Sequence, residues 1–229
     1  MRNQLLHYEG QHVLFYSSTS NEHHKLESIH MNPATLLTLS RLLWGPLFAA
    51  CFVTAFSSPA TAMWLWLALA AAGLIELTDF LDGRIARARK EVTNFGKLVD
   101  PMSDSLSRTT IFLSFLLTDI IPLWMFLIFM YRDSFMATLR IMIAKSGTVQ
   151  AAKMSGKLKA GLQAVGTFAV LGVCLASAYK IAAVPHRLWG FHPGFWIMLT
   201  PAAFTALSFF DYFVPAWPVV RSMMHSEPS

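Results

Sequence analysis

The strongest constraint on this chain is a series of six apolar stretches, 35–56, 60–87, 95–117, 120–144, 158–182 and 195–215. Each is about long enough to carry an α-helix through a bilayer, which takes roughly 20 apolar residues. Inside hydrocarbon every backbone N–H and C=O must be satisfied internally, which leaves helices or closed barrels. The stretches show no period-2 alternation, so a barrel is excluded. The expected fold is an all-α, polytopic membrane protein with six transmembrane helices. Composition agrees: 55% of the 229 residues are hydrophobic and 14% charged, with a mean hydropathy of +0.47. Such a chain is neither an ordinary soluble domain nor a disordered tail. Turn formers at Ser57-Ser58-Pro59 and at Thr118-Asp119-Ile120-Ile121-Pro122 suit helical hairpins.

The charges give the orientation. The 18 Lys and Arg outnumber the 13 Asp and Glu, for a net charge of +5. Cations flanking membrane spans are retained on the cytoplasmic side. Arg84, Arg87, Arg89, Lys90 and Lys97 lie between the second and third stretches, and Lys145, Lys153, Lys157 and Lys159 between the fourth and fifth. The opposite loops hold Lys180 and Arg187, and Arg108 fits the scheme least well. Both termini are then expected in the cytosol, with the working face on the inner side of the cytoplasmic membrane. The positive excess thus reports topology rather than nucleic-acid binding. Residues 1–31 read as a cytosolic or interfacial segment and 221–229 as a cytosolic tail. His7, His12, His23, His24 and His30 are irregularly spaced on that polar segment and read as solvated. Cys51 and Cys174 sit in apolar stretches with no partner at metal-ligand spacing.

Carboxylates near membrane depth are costly, so a group of them on one helix face points to function. Asp79, Asp82, Gly83, Ala86 and Arg87 fall at i, i+3, i+4, i+7 and i+8, a single face. Gly96, Asp100 and Asp104 share a face of the next helix. Four facing carboxylates repel unless neutralised, and an oxygen-only ligand set selects hard divalent cations. Gly83 and Ala86 leave a bare strip of backbone, and Arg87 offers a fork for phosphate. A cation-coupled transporter is the rival class, because intramembrane carboxylates also mark ion pathways. The aspartates, however, adjoin dense positive loops, and the Asp-rich run has no second copy.

Written out, the run is Asp79-x2-Asp82-Gly83-x2-Ala86-Arg87-x8-Gly96-x3-Asp100-x3-Asp104. It resembles the full signature of the CDP-alcohol phosphatidyltransferase family. The resemblance implies six membrane helices, two divalent cations (Mg or Mn), a CDP-diacylglycerol donor and a homodimer. It further implies Asp79, Asp82, Asp100 and Asp104 as metal ligands, with Asp104 also the general base. Asp82, Gly83, Ala86, Arg87, Thr93 and Gly96 become the nucleotide-binding set.

Other stretches are similar to bacterial phosphatidylglycerophosphate synthases within that family. These are Asn32, Pro33, Thr38 and Arg41 near the first span, a candidate donor-binding motif, then Arg132-Asp133 through Arg140, and Gly156-Lys157-Leu158-Lys159 with Gln163. Asp133 replaces the usual Glu and Ala160 the usual Thr. Arg132 and Arg140 lie two turns apart on one face, and Lys157 and Lys159 open the fifth stretch. Four converging cations suit an acceptor that carries phosphate, such as sn-glycerol 3-phosphate. The alternative acceptors are myo-inositol 1-phosphate or another alcohol. Trp44, Trp64, Trp66, Trp189, Trp196 and Trp217 read as membrane-interface residues, while Glu76 and Asp211 have no assigned role.

Overall fold

The computed structural model describes residues 33–89, 94–145, 154–181, 185 and 187–225. Six helices follow one another: α1 Pro33–Ser57, α2 Thr61–Arg89, α3 Asn94–Leu117, α4 Leu123–Lys145, α5 Met154–Ala178 and α6 Pro193–His225. Among the described residues the chain is helical apart from turns and one isolated bridge, Leu188 with Phe191. Among the described residues, four helices contain stretches long and apolar enough to cross a membrane: Leu36–Ser57, Thr61–Leu81, Leu158–Ala178 and Pro193–Pro215. The other two, α3 and α4, carry charges along their length, Asp100, Asp104 and Arg108 on one and Arg132, Asp133 and Arg140 on the other.

Two helix ends are set by caps that hydropathy does not reveal. Asp119 has a φ of 56°. Its N–H donates to the Leu116 carbonyl at 3.1 Å, and the Ile120 N–H to the Phe115 carbonyl at 2.9 Å. These are the paired bonds of a Schellman cap. The same pairing ends α5, where Lys180 (φ 52°) bonds back to Ser177 and Ile181 to Ala176, both at 3.0 Å. So α5 stops at Ala178 although the apolar stretch runs to 182. In α6 the outcome is reversed, and the helix continues to His225 through Pro215 and Pro218. Each proline removes one backbone donor, but Phe209, Phe213 and Trp217 stack along the helix at 5.5 and 5.4 Å and carry it onward. Glycine is the residue a left-handed cap prefers. Asp119→Gly is expected to stabilise the protein by roughly 0.5–1 kcal/mol, relief of strain outweighing glycine's unfolded-state entropy. A higher thermal-unfolding midpoint in detergent would register it, and a lower one would mean that the Asp119 side chain itself contributes.

Helix α1 packs on α2 and α3, α3 on α4, α4 and α5 on α6, and α2 on α5. A ladder of aromatic rings joins α1, α3 and α4. Phe48 stacks on Phe52 at 5.4 Å, Phe52 meets Phe115 edge-on at 5.2 Å, and Phe112 stacks on Phe129 at 4.3 Å. Outward-facing positions are apolar as well, Leu43 being 74% exposed and Leu207 68%, as a lipid-facing surface requires. The turns after α1, α3 and α5 line one cavity of about 720 Å³, with Phe56, Thr61, Asp119, Arg187 and His192 on its walls. These turns therefore share one end of the bundle. Nearby, the Trp66 indole donates to the Tyr179 hydroxyl at 3.0 Å and the Trp196 indole to the Leu188 carbonyl at 3.1 Å. Both indoles keep a polar contact beside apolar rings, as interface residues do. The carboxylates lie away from this end.

Candidate active site

Close approach of α1 to α3 positions the first charged group. A β-carbon at Gly45 would stand 3.5 Å from the Ser107 Cα, and the Ser107 hydroxyl donates to the Arg41 carbonyl at 3.2 Å. One turn above Gly45, the Arg41 guanidinium is 1% exposed. Its Nη1 donates to Asp79 Oδ1 at 2.5 Å and lies 4.0 Å from Asp104 Oδ1. Two of the signature aspartates, from α2 and α3, thus meet at one guanidinium nitrogen. Arg108 adds a second clamp: its Nε donates to Asp104 Oδ1 at 2.8 Å and its Nη1 to the Ala160 carbonyl of α5 at 3.2 Å. Glu76, one turn before Asp79, has Arg108, Asp104, Asp79 and Arg41 as its charged neighbours. Buried guanidinium groups are tolerable here only because carboxylates balance them.

The carboxylates stay open while their cations are buried. Asp79 and Asp104 keep 43% and 38% of their side chains exposed. Hard anionic oxygens left accessible in this way fit a divalent cation of the Mg or Mn kind. Among the described residues no cluster of three or more acidic, histidine or cysteine side chains is assembled for a metal. The side chains of Asp82 and Asp100 lie outside that description, as do those of Gly83, Ala86, Arg87, Gly96, Arg140 and Lys157. Asn32 and Thr93, with the whole 1–31 segment, are likewise outside the described residues, and of Pro33 only the helical backbone is described.

Beside Asp104 a cavity of about 100 Å³ opens between α3, α4 and α5, lined by Asp104, Arg108, Arg132, Asp133, Gly156 and Lys159 among others. Arg132 is 8% exposed and Lys159 6%. Asp133 holds both: it accepts from Arg132 Nη1 at 3.1 Å and from the Lys159 ammonium. The Nε and Nη2 nitrogens of Arg132 are buried with no hydrogen-bond partner among the described residues. A buried donor left unsatisfied costs about 1–3 kcal/mol, and more when charged, so this edge of Arg132 is suited to an anionic ligand. Of the four cations expected beside the carboxylates, the described residues bring Arg132 and Lys159 together.

Arg108 and Asp133 have no place in the site as the sequence alone reads. Arg108 could have been paired with Asp104 by its i, i+4 spacing. Asp133 stands out in sequence only as a replacement for Glu, whereas Arg41, a donor-site candidate in sequence, is placed between Asp79 and Asp104. Of the other residues in those patterns, Thr38 is buried at 1%. Gln163 is buried too, its amide donating to the Thr205 hydroxyl at 3.2 Å.

A family model for the CDP-alcohol phosphatidyltransferases matches residues 31–206, which contain every one of these charged groups. The chain belongs to the CDP-alcohol phosphatidyltransferase family. As such it is an enzyme of the phosphatidyl-transferring class, and the family generally depends on divalent cations. Two relatives bear the name CDP-diacylglycerol--glycerol-3-phosphate 3-phosphatidyltransferase. The one from Bacillus subtilis is 30% identical over 145 residues, 63% of this chain and 70% of the relative. That from Treponema pallidum is 30% identical over 154 residues, 64% of this chain and 68% of the relative. A cardiolipin synthase (CMP-forming) from Streptomyces coelicolor is 28% identical over 113 residues, about half of each chain. In this CDP-alcohol phosphatidyltransferase Arg132 and Lys159 stand in the same cavity as Asp104.

Proposed function

We propose that the protein transfers the phosphatidyl group of CDP-diacylglycerol to sn-glycerol 3-phosphate, releasing CMP and forming phosphatidylglycerophosphate. The observation that carries the acceptor is the cavity in which the Asp104 carboxylate and the buried cations Arg132 and Lys159 stand together. An acceptor without phosphate would leave the bare edge of Arg132 unsatisfied. The names of the two synthase relatives support the same choice, and no observation favours a transporter or another alcohol.

In this reading Arg132 and Lys159 hold the acceptor phosphate and thereby bring the C1 hydroxyl toward Asp104. Asp104 takes the hydroxyl proton as the oxygen bonds to the phosphatidyl phosphorus. The bond from that phosphorus to the bridging diphosphate oxygen breaks, and CMP departs with the electron pair. Divalent cations held by Asp79, Asp82, Asp100 and Asp104 would neutralise the diphosphate and the leaving group. Arg41 and Arg108 keep Asp79 and Asp104 in place, and Gly83, Ala86, Arg87, Thr93 and Gly96 serve the cytidine nucleotide. The six helices all span the cytoplasmic membrane, 32–220 forming the catalytic domain. Both termini lie in the cytosol, a topology supported by the cations flanking 84–97 and 145–159.

The test is turnover by purified protein supplied with CDP-diacylglycerol and a radiolabelled acceptor panel. Glycerol 3-phosphate is expected to yield product and CMP, and glycerol, serine and free inositol none; turnover of an unphosphorylated alcohol alone would overturn the assignment. Chelation by EDTA is expected to abolish CMP release, and added Mg²⁺ or Mn²⁺ to restore it. Activity that survives exhaustive chelation would remove the cations from the reading.

A further inference from the structure

Arg132 is bounded on three sides. Asp133 takes its Nη1 and the cavity lies beside it; the third contact comes from the last helix. The Arg132 Cζ stands 5.8 Å from the ring centroid of Tyr212 on α6, and Tyr212 is 4% exposed. The same side chain explains a glycine. A β-carbon built on Gly156 would lie 2.7 Å from the Tyr212 hydroxyl oxygen, inside contact distance, while the ring carbon Cζ would be an ordinary 3.6 Å away. Gly156 lines the cavity and stands one turn before Lys159. Tyr212 therefore touches both walls that carry the cations, α4 through Arg132 and α5 through Gly156. It also lies beyond residue 206, where the family match ends.

We propose that Tyr212 is a positioning residue for acceptor recognition, its ring backing the Arg132 guanidinium and its hydroxyl filling the space left by Gly156. This rests on the acceptor reading above. A guanidinium over an aromatic face is attracted by the ring quadrupole and loses rotational freedom. The plane of Arg132 is thereby set before substrate arrives, and α5 is seated at a fixed distance from it. The ring supplies the first effect; the size of the hydroxyl supplies the second.

Rates of CMP release by the full-length enzyme in lipid–detergent micelles, at saturating CDP-diacylglycerol, separate these roles. Tyr212→Leu is expected to raise KM for glycerol 3-phosphate about tenfold, the order of a partly buried cation–π contact, with kcat and the KM for CDP-diacylglycerol unchanged. Tyr212→Phe keeps the ring but loses the hydroxyl that seats α5, and is expected to raise KM for glycerol 3-phosphate by less than Tyr212→Leu does. Gly156→Ala is expected to raise KM for glycerol 3-phosphate, and Gly156→Ala with Tyr212→Phe to return it toward wild type, because the oxygen in conflict is gone. If Tyr212→Leu does not fold, the Gly156→Ala pair decides. A fall in kcat with unchanged KM in Tyr212→Leu, or a double variant no better than Gly156→Ala, overturns the proposal. Should the wild-type enzyme use only acceptors without phosphate, the acceptor reading fails and this inference with it. Should it use glycerol 3-phosphate while the Tyr212 and Gly156 variants leave its KM unchanged, the inference alone fails.

Discussion

Replacing Asp104 with asparagine is expected to lower kcat for CMP release by about a thousandfold, the midrange of what a positioned general base contributes. The substitution is nearly isosteric, and the amide oxygen can still accept from Arg108 Nε, whose bond to Asp104 Oδ1 is 2.8 Å. The bundle should therefore assemble, with a stability loss confined to the uncompensated guanidinium groups of Arg108 and Arg41. What disappears is the proton acceptor beside the cavity. The measurement is single-turnover CMP release together with equilibrium binding of CDP-diacylglycerol and, by electron paramagnetic resonance, of Mn²⁺. Donor binding retained, Mn²⁺ binding weakened by the loss of one carboxylate among four but still present, and chemistry lost is the expected result. Turnover within tenfold of wild type would show that the proton goes elsewhere, since loss of a base is worth at least about a hundredfold. Loss of Mn²⁺ binding as well would assign Asp104 to ligation before proton transfer.

Arg132→Met is expected to raise KM for glycerol 3-phosphate about a hundredfold while leaving the KM for CDP-diacylglycerol unchanged. Two charge-assisted hydrogen bonds from the Nε and Nη2 edge are lost, each worth roughly 1.5–3 kcal/mol before non-additivity. Methionine fills much of the vacated volume, and Asp133 keeps Lys159 as its counter-ion, so no carboxylate is stranded. Initial rates against acceptor concentration check it. A lowered kcat with unaltered acceptor KM would move Arg132 out of the phosphate site and into the scaffold.

Local spacing made part of this site readable in advance. Asp79 and Asp104 were placed on inward faces by helical periodicity, and the structure brings both to Arg41. The Arg41 pairing itself spans 38 residues to Asp79, and no periodicity within one helix carries information over that distance. Asp133 follows Arg132 directly, and consecutive helical residues point about 100° apart, so the pair gives no signal alone. It forms because Lys159 arrives from α5 and draws the carboxylate inward. Tyr212 sits among Phe209, Phe210, Phe213 and Trp217, where one more aromatic ring looks like lipid-facing surface. Only the neighbouring helices distinguish it. The ends of α3 and α5 were blurred for another reason: caps that usually announce themselves with glycine are made here by Asp119 and Lys180.

The charged groups divide along the chain. Arg41, Asp79 and Asp104 belong to α1, α2 and α3, whereas Arg132, Asp133, Lys159 and Tyr212 belong to α4, α5 and α6. The cavity proposed for the acceptor lies along the seam, with Asp104 and Arg108 facing it from the first half. Mutation and selection can then act on the two halves separately. On the proposed acceptor reading, the changes that exchange one alcohol for another would concentrate after residue 123, with Asp104 and Arg108 kept. A hybrid gene joined in the turn at 118–122 would inherit its chemistry from one parent and its taste in alcohols from the other.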